Sequence, residues 1–269
     1  MTRTACVLAL LLVLGAARQA EVAPLRRAHA HNDYQHDPPL LKALGQGFTS
    51  VEADILLVGD KLCVAHGARE VVPERTLQSL YLEPLRERVK RNGGRVYREG
   101  PQFKLLVDIK TAVEPTYRRL HEVLEEYRDM LTQFGPDGRV DRAVLVIVSG
   151  NRPLEQMKSQ QVRYAGYDGR LTDLDSEVPA DVIVMISDHW GRNFTWRGNG
   201  PMPPQERKKL GEIVRKSHAK GRIVRFWATP DVQSPERDAV WTELLSAGVD
   251  LINTDDLEGL RRFLLEHGG

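Results

Sequence analysis

Four short segments of the chain carry side chains able to do acid–base and metal chemistry: His29-Ala30-His31-Asn32-Asp33, Glu52-Ala53-Asp54, His66 and Asp108-Ile109-Lys110. Carboxylate oxygens are the ligands that hard divalent cations such as Mg²⁺ and Ca²⁺ choose. One imidazole can take a proton from an attacking oxygen while a second gives one to a leaving oxygen. A phosphodiester demands that combination, because its phosphoryl charge must be offset while both oxygens exchange protons.

For these residues to act together, the elements that carry them must bring them to one place. Side chains at i and i+2 of a strand point to the same face, roughly 7 Å apart. If Phe48 to Asp54 is a strand, Glu52 and Asp54 project together while Ala53 faces the other way. Two carboxylates so placed repel, and burying both is costly without a cation. Asp108 on the next strand supplies a third ligand. His29 and His31 share a face in the same way, so either can be the base; His31, beside the strand-to-loop transition, is preferred.

Short β-branched or apolar runs alternate with longer helical patterns along the chain, which predicts repeated βα units around a parallel sheet. The strands expected are Leu25–His31, Phe48–Asp54, Phe103–Lys110, Ala143–Ser149, Val162–Tyr167, Val182–Ser187, Ile223–Trp227 and Leu251–Thr254. Helices are expected near 39–46, 76–92, 115–134, 151–159, 202–219, 234–247 and 255–267, with a weak or absent element around 171–178. Eight strands favour a closed TIM-type (β/α)8 barrel forming a single domain over 21–269. Gly59-Asp60 reads as a hairpin turn whose return leg delivers His66 to the barrel mouth. Two polar loops rich in Gly or Pro, 91–101 and 188–204, are expected at the rim of the site.

Composition is that of one α/β domain: 269 residues, 41% apolar. Residues 1–20 read as a signal peptide, with Arg3 ahead of an apolar run from Ala5 to Leu14 and small residues Gly15, Ala16 and Ala17 at the cleavage region. Its removal takes the formal charge from +1 to between 0 and −1, so no basic excess points to nucleic acid. Cys6 leaves with it and Cys63 then stands without a disulfide partner. These features predict a secreted or periplasmic protein. No other segment approaches the ~20 apolar residues of a transmembrane helix, and the sequence does not define an oligomeric state.

The order His, Glu-x-Asp, His after a hairpin and Asp-x-Lys, closing on Gly248-Val249-Asp250-Leu251-Ile252-Asn253-Thr254-Asp255-Asp256, resembles the PLC-like phosphodiesterases. These are the glycerophosphodiester phosphodiesterase and spider-venom-type phospholipase D superfamily. Ala30-His31-Asn32-Asp33-Tyr34, Ser50-Val51-Glu52-Ala53-Asp54 and Arg225-Phe226-Trp227-Ala228-Thr229-Pro230 are more similar still to the branch named for altered inheritance of mitochondria protein 6.

The resemblance implies His31 and His66 as the acid/base pair; His29 stays a further catalytic candidate because it shares a face with His31, not through the resemblance. It implies Glu52, Asp54 and Asp108 as ligands of Mg²⁺ or Ca²⁺, Lys110 as a phosphate contact and Trp227 as a pocket wall. Arg225 joins them as a substrate contact at the rim. The expected substrate is a small or phospholipid-derived phosphodiester. The chain departs from the glycerophosphodiesterase pattern at one point: Asn32-Asp33 follow the first histidine where that pattern has Arg-Gly.

Two other readings remain at this stage. His29-Ala30-His31 resembles the paired-imidazole zinc site of an amidohydrolase-like barrel, which needs further histidines on later strands and leaves Glu52 and Asp54 without a task. A non-catalytic barrel binding a phosphorylated ligand needs charge complementarity but no proton shuttle.

Overall fold

The computed structural model describes residues 22–268. The stretch 1–20, expected as a signal peptide, lies outside the described residues. Eight strands close into a parallel barrel: β1 (Leu25–Ala30), β2 (Phe48–Val58), β4 (Phe103–Ile109), β7 (Val144–Gly150), β8 (Ala165–Gly169), β9 (Ile183–His189), β10 (Ile223–Trp227) and β11 (Leu251–Thr254). They pair in that order, and β11 returns to β1. Every strand expected from the sequence is present within a few residues.

Beyond Asp54, β2 continues and turns at Gly59-Asp60 into β3 (Lys61–Val64), its antiparallel partner, as the hairpin pattern requires. The helices are α1 (Leu41–Gly45), α2 (Glu83–Arg91), α3 (Val113–Glu125), α4 (Leu154–Ser159), α5 (Trp190–Asn193), α6 (Pro204–Ala219), α7 (Pro235–Ala247) and α8 (Leu257–His267). Only a single 3-10 turn, Leu171–Asp173, stands between β8 and β9.

Two expectations need correction. The helix expected over 115–134 ends at Glu125, and Gln133–Gly135 (β5) pairs with Gly138–Val140 (β6) instead. The turn-forming Pro136-Asp137-Gly138 reverses the chain there. Phe134 of β5 joins Leu106, Leu145, Ile147, Val184 and Leu251 in a separate apolar cluster. The loop 91–101 precedes β4 and borders Asp141, Arg142 and Ala143 ahead of β7, so it lies at the N-terminal end of the strands, away from the rim. Its Gly and Pro content serves a turn, a role that composition alone does not distinguish from a binding loop.

Strand alternation divides the barrel in two. The larger core lies between strands and helices, where Val51, Ala53, Leu105, Val107 and Ile186 meet side chains such as Leu120, Trp190 and Leu260. Inside the barrel, the lower half is filled by the Leu106 cluster. The upper half carries polar side chains: His29, Ser50, Glu52, Asp54, Ser149, Asp168, Ser187, Arg225 and Asn253 are all buried. Active sites of such barrels form at this C-terminal end.

One backbone position fits the upper half closely. Gly150, at the end of β7, has φ +67°, and a Cβ there would run into the Asp108 carboxylate and the Ile109 carbonyl. Gly150→Ala is therefore expected to cost about 1–3 kcal/mol through strain and overpacking. Denaturant unfolding checks it; a variant of unchanged stability would show that the end of β4 at Asp108 yields freely.

Candidate active site

Pairs of side chains two residues apart define the mouth. His29/His31 come from β1 and the residue after it, Glu52/Asp54 from β2, Asp108/Lys110 from β4, and Arg225/Trp227 from β10. The register sets Asp54 beside Asp108 and His29 beside Ser50. With His66, which follows β3 and meets Asp54, all nine residues singled out from the sequence lie at one end of one barrel.

Glu52, Asp54 and Asp108 present ligand oxygens within 4.8 Å of one another. The two oxygens of Asp54 are used differently. Oδ2 accepts from the Tyr34 hydroxyl at 2.8 Å and lies 2.8 Å from His66 Nδ1 and 3.1 Å from Lys110 Nζ. Oδ1 is buried and makes no hydrogen bond. A buried carboxylate oxygen without a partner is costly, and this one belongs to a set of three hard oxygen donors. The donor set and the partnerless oxygen fit a hard divalent cation.

The charges point the same way. Asp108 is pushed up to about 6 by burial and by the Glu52 charge, with Asp54 adding to it against the pull of Lys110. Burial opposes the Lys110 charge, but Asp108 and Asp54 hold its ammonium above the ordinary range; it lies 3.1 Å from each. Asp108, short of positive charge, gives up its proton at a higher pH than an ordinary carboxyl, and a cation beside it would favour the ionised form.

Glu52 is neutralised from below. Arg225 Nη1 donates to Glu52 Oε2 at 2.5 Å and to His29 Nε2 at 2.7 Å, and all three side chains are buried. Burial works against the Glu52 charge, yet Arg225 keeps the carboxyl well below its ordinary range. Because His29 Nε2 accepts from Arg225, its ring proton sits on Nδ1 and goes to Ser50 Oγ at 2.7 Å. Burial, with the Arg225 charge behind it, lowers His29 to about 4. Both ring nitrogens of this neutral imidazole are occupied, so it has none free to pair with His31 around zinc.

The other two histidines are open to the mouth. His31 Nδ1 lies 2.9 Å from Asp255 Oδ1 and 3.1 Å from Asn32 Nδ2, and Nε2 has no hydrogen-bond partner among the described residues. Burial lowers its basicity, but the Asp255 hydrogen bond and the charges of Glu52 and Asp255 outweigh this and raise the pKa. His66 is 61% exposed and held through Nδ1 by Asp54. The Tyr34 hydroxyl sits 2.8 Å from Asp54 Oδ2, 3.1 Å from Asn32 Oδ1 and 3.4 Å from His66 Nδ1. It joins the loops that carry the two imidazoles. Trp227, half-buried, meets His189 edge to face with centroids 4.6 Å apart.

Sequence reasoning overlooked a further pair, Asp168/Arg170 at the end of β8. Asp168 is fully buried, and its Oδ2 accepts from Ser149 Oγ, Ser187 Oγ and Arg170 Nη1 at 2.8, 2.8 and 2.7 Å. The i, i+2 spacing that marked Asp108 and Lys110 marks these two as well. Asp255 is the other addition; its hold on His31 links residues 224 positions apart and leaves no local signal.

Known proteins share the chain's family and its fold. Residues 17–168 match the AIM6-like phosphodiesterase domain, and residues 224–258 match the glycerophosphoryl diester phosphodiesterase family. Altered inheritance of mitochondria protein 6 homolog of Arthroderma benhamiae is 30% identical over 260 residues, 87% of this chain and 82% of that protein. Altered inheritance of mitochondria protein 6 of Eremothecium gossypii is 30% identical over 275 residues, 90% of this chain and 70% of that one. A crystal structure of a glycerophosphodiester phosphodiesterase from Parabacteroides distasonis superposes with a TM-score of 0.52 at 13% identity, covering 92% of this chain and all of that one, a likeness of fold. The secreted or periplasmic location expected from residues 1–20 is corrected by these relatives, whose names tie them to mitochondrial inheritance rather than to export. No helix among the described residues is long and apolar enough to cross a membrane.

The depressed His29 pKa predicts a pH effect on stability. The unfolded imidazole takes up its proton near its ordinary 6.5, while the folded one resists until about 4. Stability is thus fully present above pH ~6.5 and falls as pH drops toward 4, by about 3 kcal/mol in total from this group. Unfolding across that window should show a shallower slope in His29→Gln. Equal slopes for the two proteins would mean that His29 is not held neutral.

Proposed function

From the premise that this chain belongs to the AIM6-like phosphodiesterase domain family, we propose that it is a metal-dependent phosphoric diester hydrolase. Its substrate class is a glycerophosphodiester or a lysophospholipid-like diester. The observation that carries the reading is the division of labour at Asp54, whose Oδ2 gathers Tyr34, His66 and Lys110 while Oδ1 stays buried and unpaired beside two other carboxylates.

Glu52, Asp54 and Asp108 would hold Mg²⁺ or Ca²⁺, which when bound supplies positive charge against the phosphoryl oxygens. His31 serves as the base. With Nδ1–H directed at Asp255, its Nε2 presents a lone pair to the pocket, the role a carboxylate-oriented imidazole plays in general base catalysis. His66 serves as the acid. Asp54 fixes its Nδ1, and its exposed ring gives a proton from Nε2 to the departing alkoxide on the solvent side. Lys110 adds a point charge for a phosphoryl oxygen once the carboxylates it bridges are otherwise compensated.

Arg225 and His29 are positioning residues in this scheme: they hold Glu52 from beneath and touch no substrate. Trp227 walls the pocket. Water as nucleophile releases a phosphomonoester and an alcohol; a neighbouring substrate hydroxyl instead releases a cyclic phosphate, and ³¹P NMR separates the two products.

Turnover of a bis-aryl phosphodiester and a panel of glycerophosphodiesters and lysophospholipids should require a divalent cation, stop in EDTA and return with Mg²⁺ or Ca²⁺. His31→Ala and His66→Ala should each lower kcat on the order of 10²–10⁴-fold. Near-normal rates in both variants, or turnover indifferent to EDTA, would contradict the assignment.

A further inference from the structure

Anion recognition at this mouth needs positive charge that carboxylates have not already taken, and the basic side chains differ sharply in that respect. Arg225 is buried against Glu52, and Lys110 bridges Asp54 and Asp108. Arg170 is also paired with a carboxylate, Asp168, but through a single nitrogen. It follows β8 on the same face as Asp168, and all of its side-chain hydrogen bonds run through Nη1: to Asp168 Oδ2 at 2.7 Å, Ser187 Oγ at 3.1 Å, Gly169 O at 3.1 Å and Asp168 O at 3.3 Å. Nε and Nη2 have no partner among the described residues, and the side chain is 24% exposed.

The anchor beneath it is built rather than incidental. Asp168 is fully buried and fixed by two serine hydroxyls from the flanking strands, so it cannot swing out to follow the guanidinium. Ser149, one of those hydroxyls, stands in register beside Asp108. Arg170 is therefore rooted two strands beyond Asp108, with β7 between them, on the far side of Asp108 from Asp54. The loop after β1 has Asn32-Asp33 and contributes no cation.

We propose that Arg170 is an oxyanion-binding arm of the mouth: with Nη1 locked on Asp168, its Nε and Nη2 take two oxygens of the substrate phosphate, from the side of the pocket opposite the loops of His31 and His66. A guanidinium edge with two parallel N–H groups matches a phosphate bidentately, which a lysine cannot do. Arg170 thus complements Lys110, one arm giving direction and the other charge. The inference rests on the phosphodiesterase reading only for the nature of its ligand, and its test does not need turnover.

The test measures binding of inorganic phosphate by calorimetry in magnesium-containing buffer, for the whole chain and for Arg170→Gln, Arg170→Lys and Asp168→Asn, with a thermal midpoint for each. Arg170→Gln should weaken phosphate on the order of 10- to 100-fold, as expected for loss of charge-assisted bonds. Arg170→Lys keeps the charge but loses the fork, and should recover only part of that. Asp168→Asn, which frees Arg170 from its anchor, should weaken phosphate less than Arg170→Gln does. If Arg170→Gln does not fold, a Lys variant that binds phosphate as the parent does overturns the proposal, and one weakened several-fold at an unchanged midpoint supports it.

Unchanged affinity in a folded Arg170→Gln would make Arg170 a mere strut for Asp168, and so would a parent chain that binds no phosphate. Arg170-dependent phosphate binding in a protein that hydrolyses no diester would uphold the arm and refute the diesterase. Diester turnover with an unchanged KM in Arg170→Gln would do the reverse.

Discussion

Three carboxylates forced together at neighbouring strand ends dominate this molecule. Glu52, Asp54 and Asp108 are fixed by the backbone of β2 and β4, so their mutual repulsion cannot be relieved by moving apart. The fold answers with positive charge at two levels. Arg225 neutralises Glu52 from inside the barrel, and Lys110 bridges the other two from above. The balance is incomplete: Asp108 still holds its proton up to about 6, and Asp54 Oδ1 still lacks a donor. A cation is what this arrangement is short of.

The barrel makes such crowding possible. Its lower interior is closed by Leu106, Leu145, Ile147 and Leu251 with Phe134, and this apolar plug leaves the upper interior free for groups that would otherwise be costly to bury. Several of the buried polar groups there are held by a neighbouring strand: His29 by Ser50, Asp168 by Ser149 and Ser187, Glu52 by Arg225. Rigid strands, rather than loops, hold the ligand oxygens in place, and the loops contribute the two open imidazoles and their partners Tyr34 and Asp255.

Much of this was legible in the sequence because a strand has a period of two. Leu105-Leu106-Val107 followed by Asp108-x-Lys110 reads as a core strand emerging into a polar mouth, and Glu52-x-Asp54 places two acids on one face without knowledge of the fold. Gly59-Asp60 announced the hairpin that brings His66 round. Partnerships across the barrel were not legible: Arg225 and Glu52 are 173 residues apart, and nothing local tells a buried counter-cation from a rim contact. Asp168 and Arg170 carried the telling spacing, but their strand is short and flanked by glycine, so it stood out less. The helix expected through 115–134 failed because a turn at Pro136-Asp137-Gly138 outweighs helical periodicity upstream of it. Residues 91–101 failed because loop composition does not say which end of a barrel a loop occupies.

The central claim is that one divalent cation belongs among Glu52, Asp54 and Asp108, and calorimetric titration of metal into the metal-free chain tests it without reference to any substrate. One equivalent of Mg²⁺ or Ca²⁺ should bind per chain, with protons released at pH near 6 as Asp108 ionises, and Asp54→Asn should abolish the event while leaving the fold intact. A parent chain that takes up no divalent ion, or an Asp54→Asn variant that binds one as well as the parent does, would contradict the account.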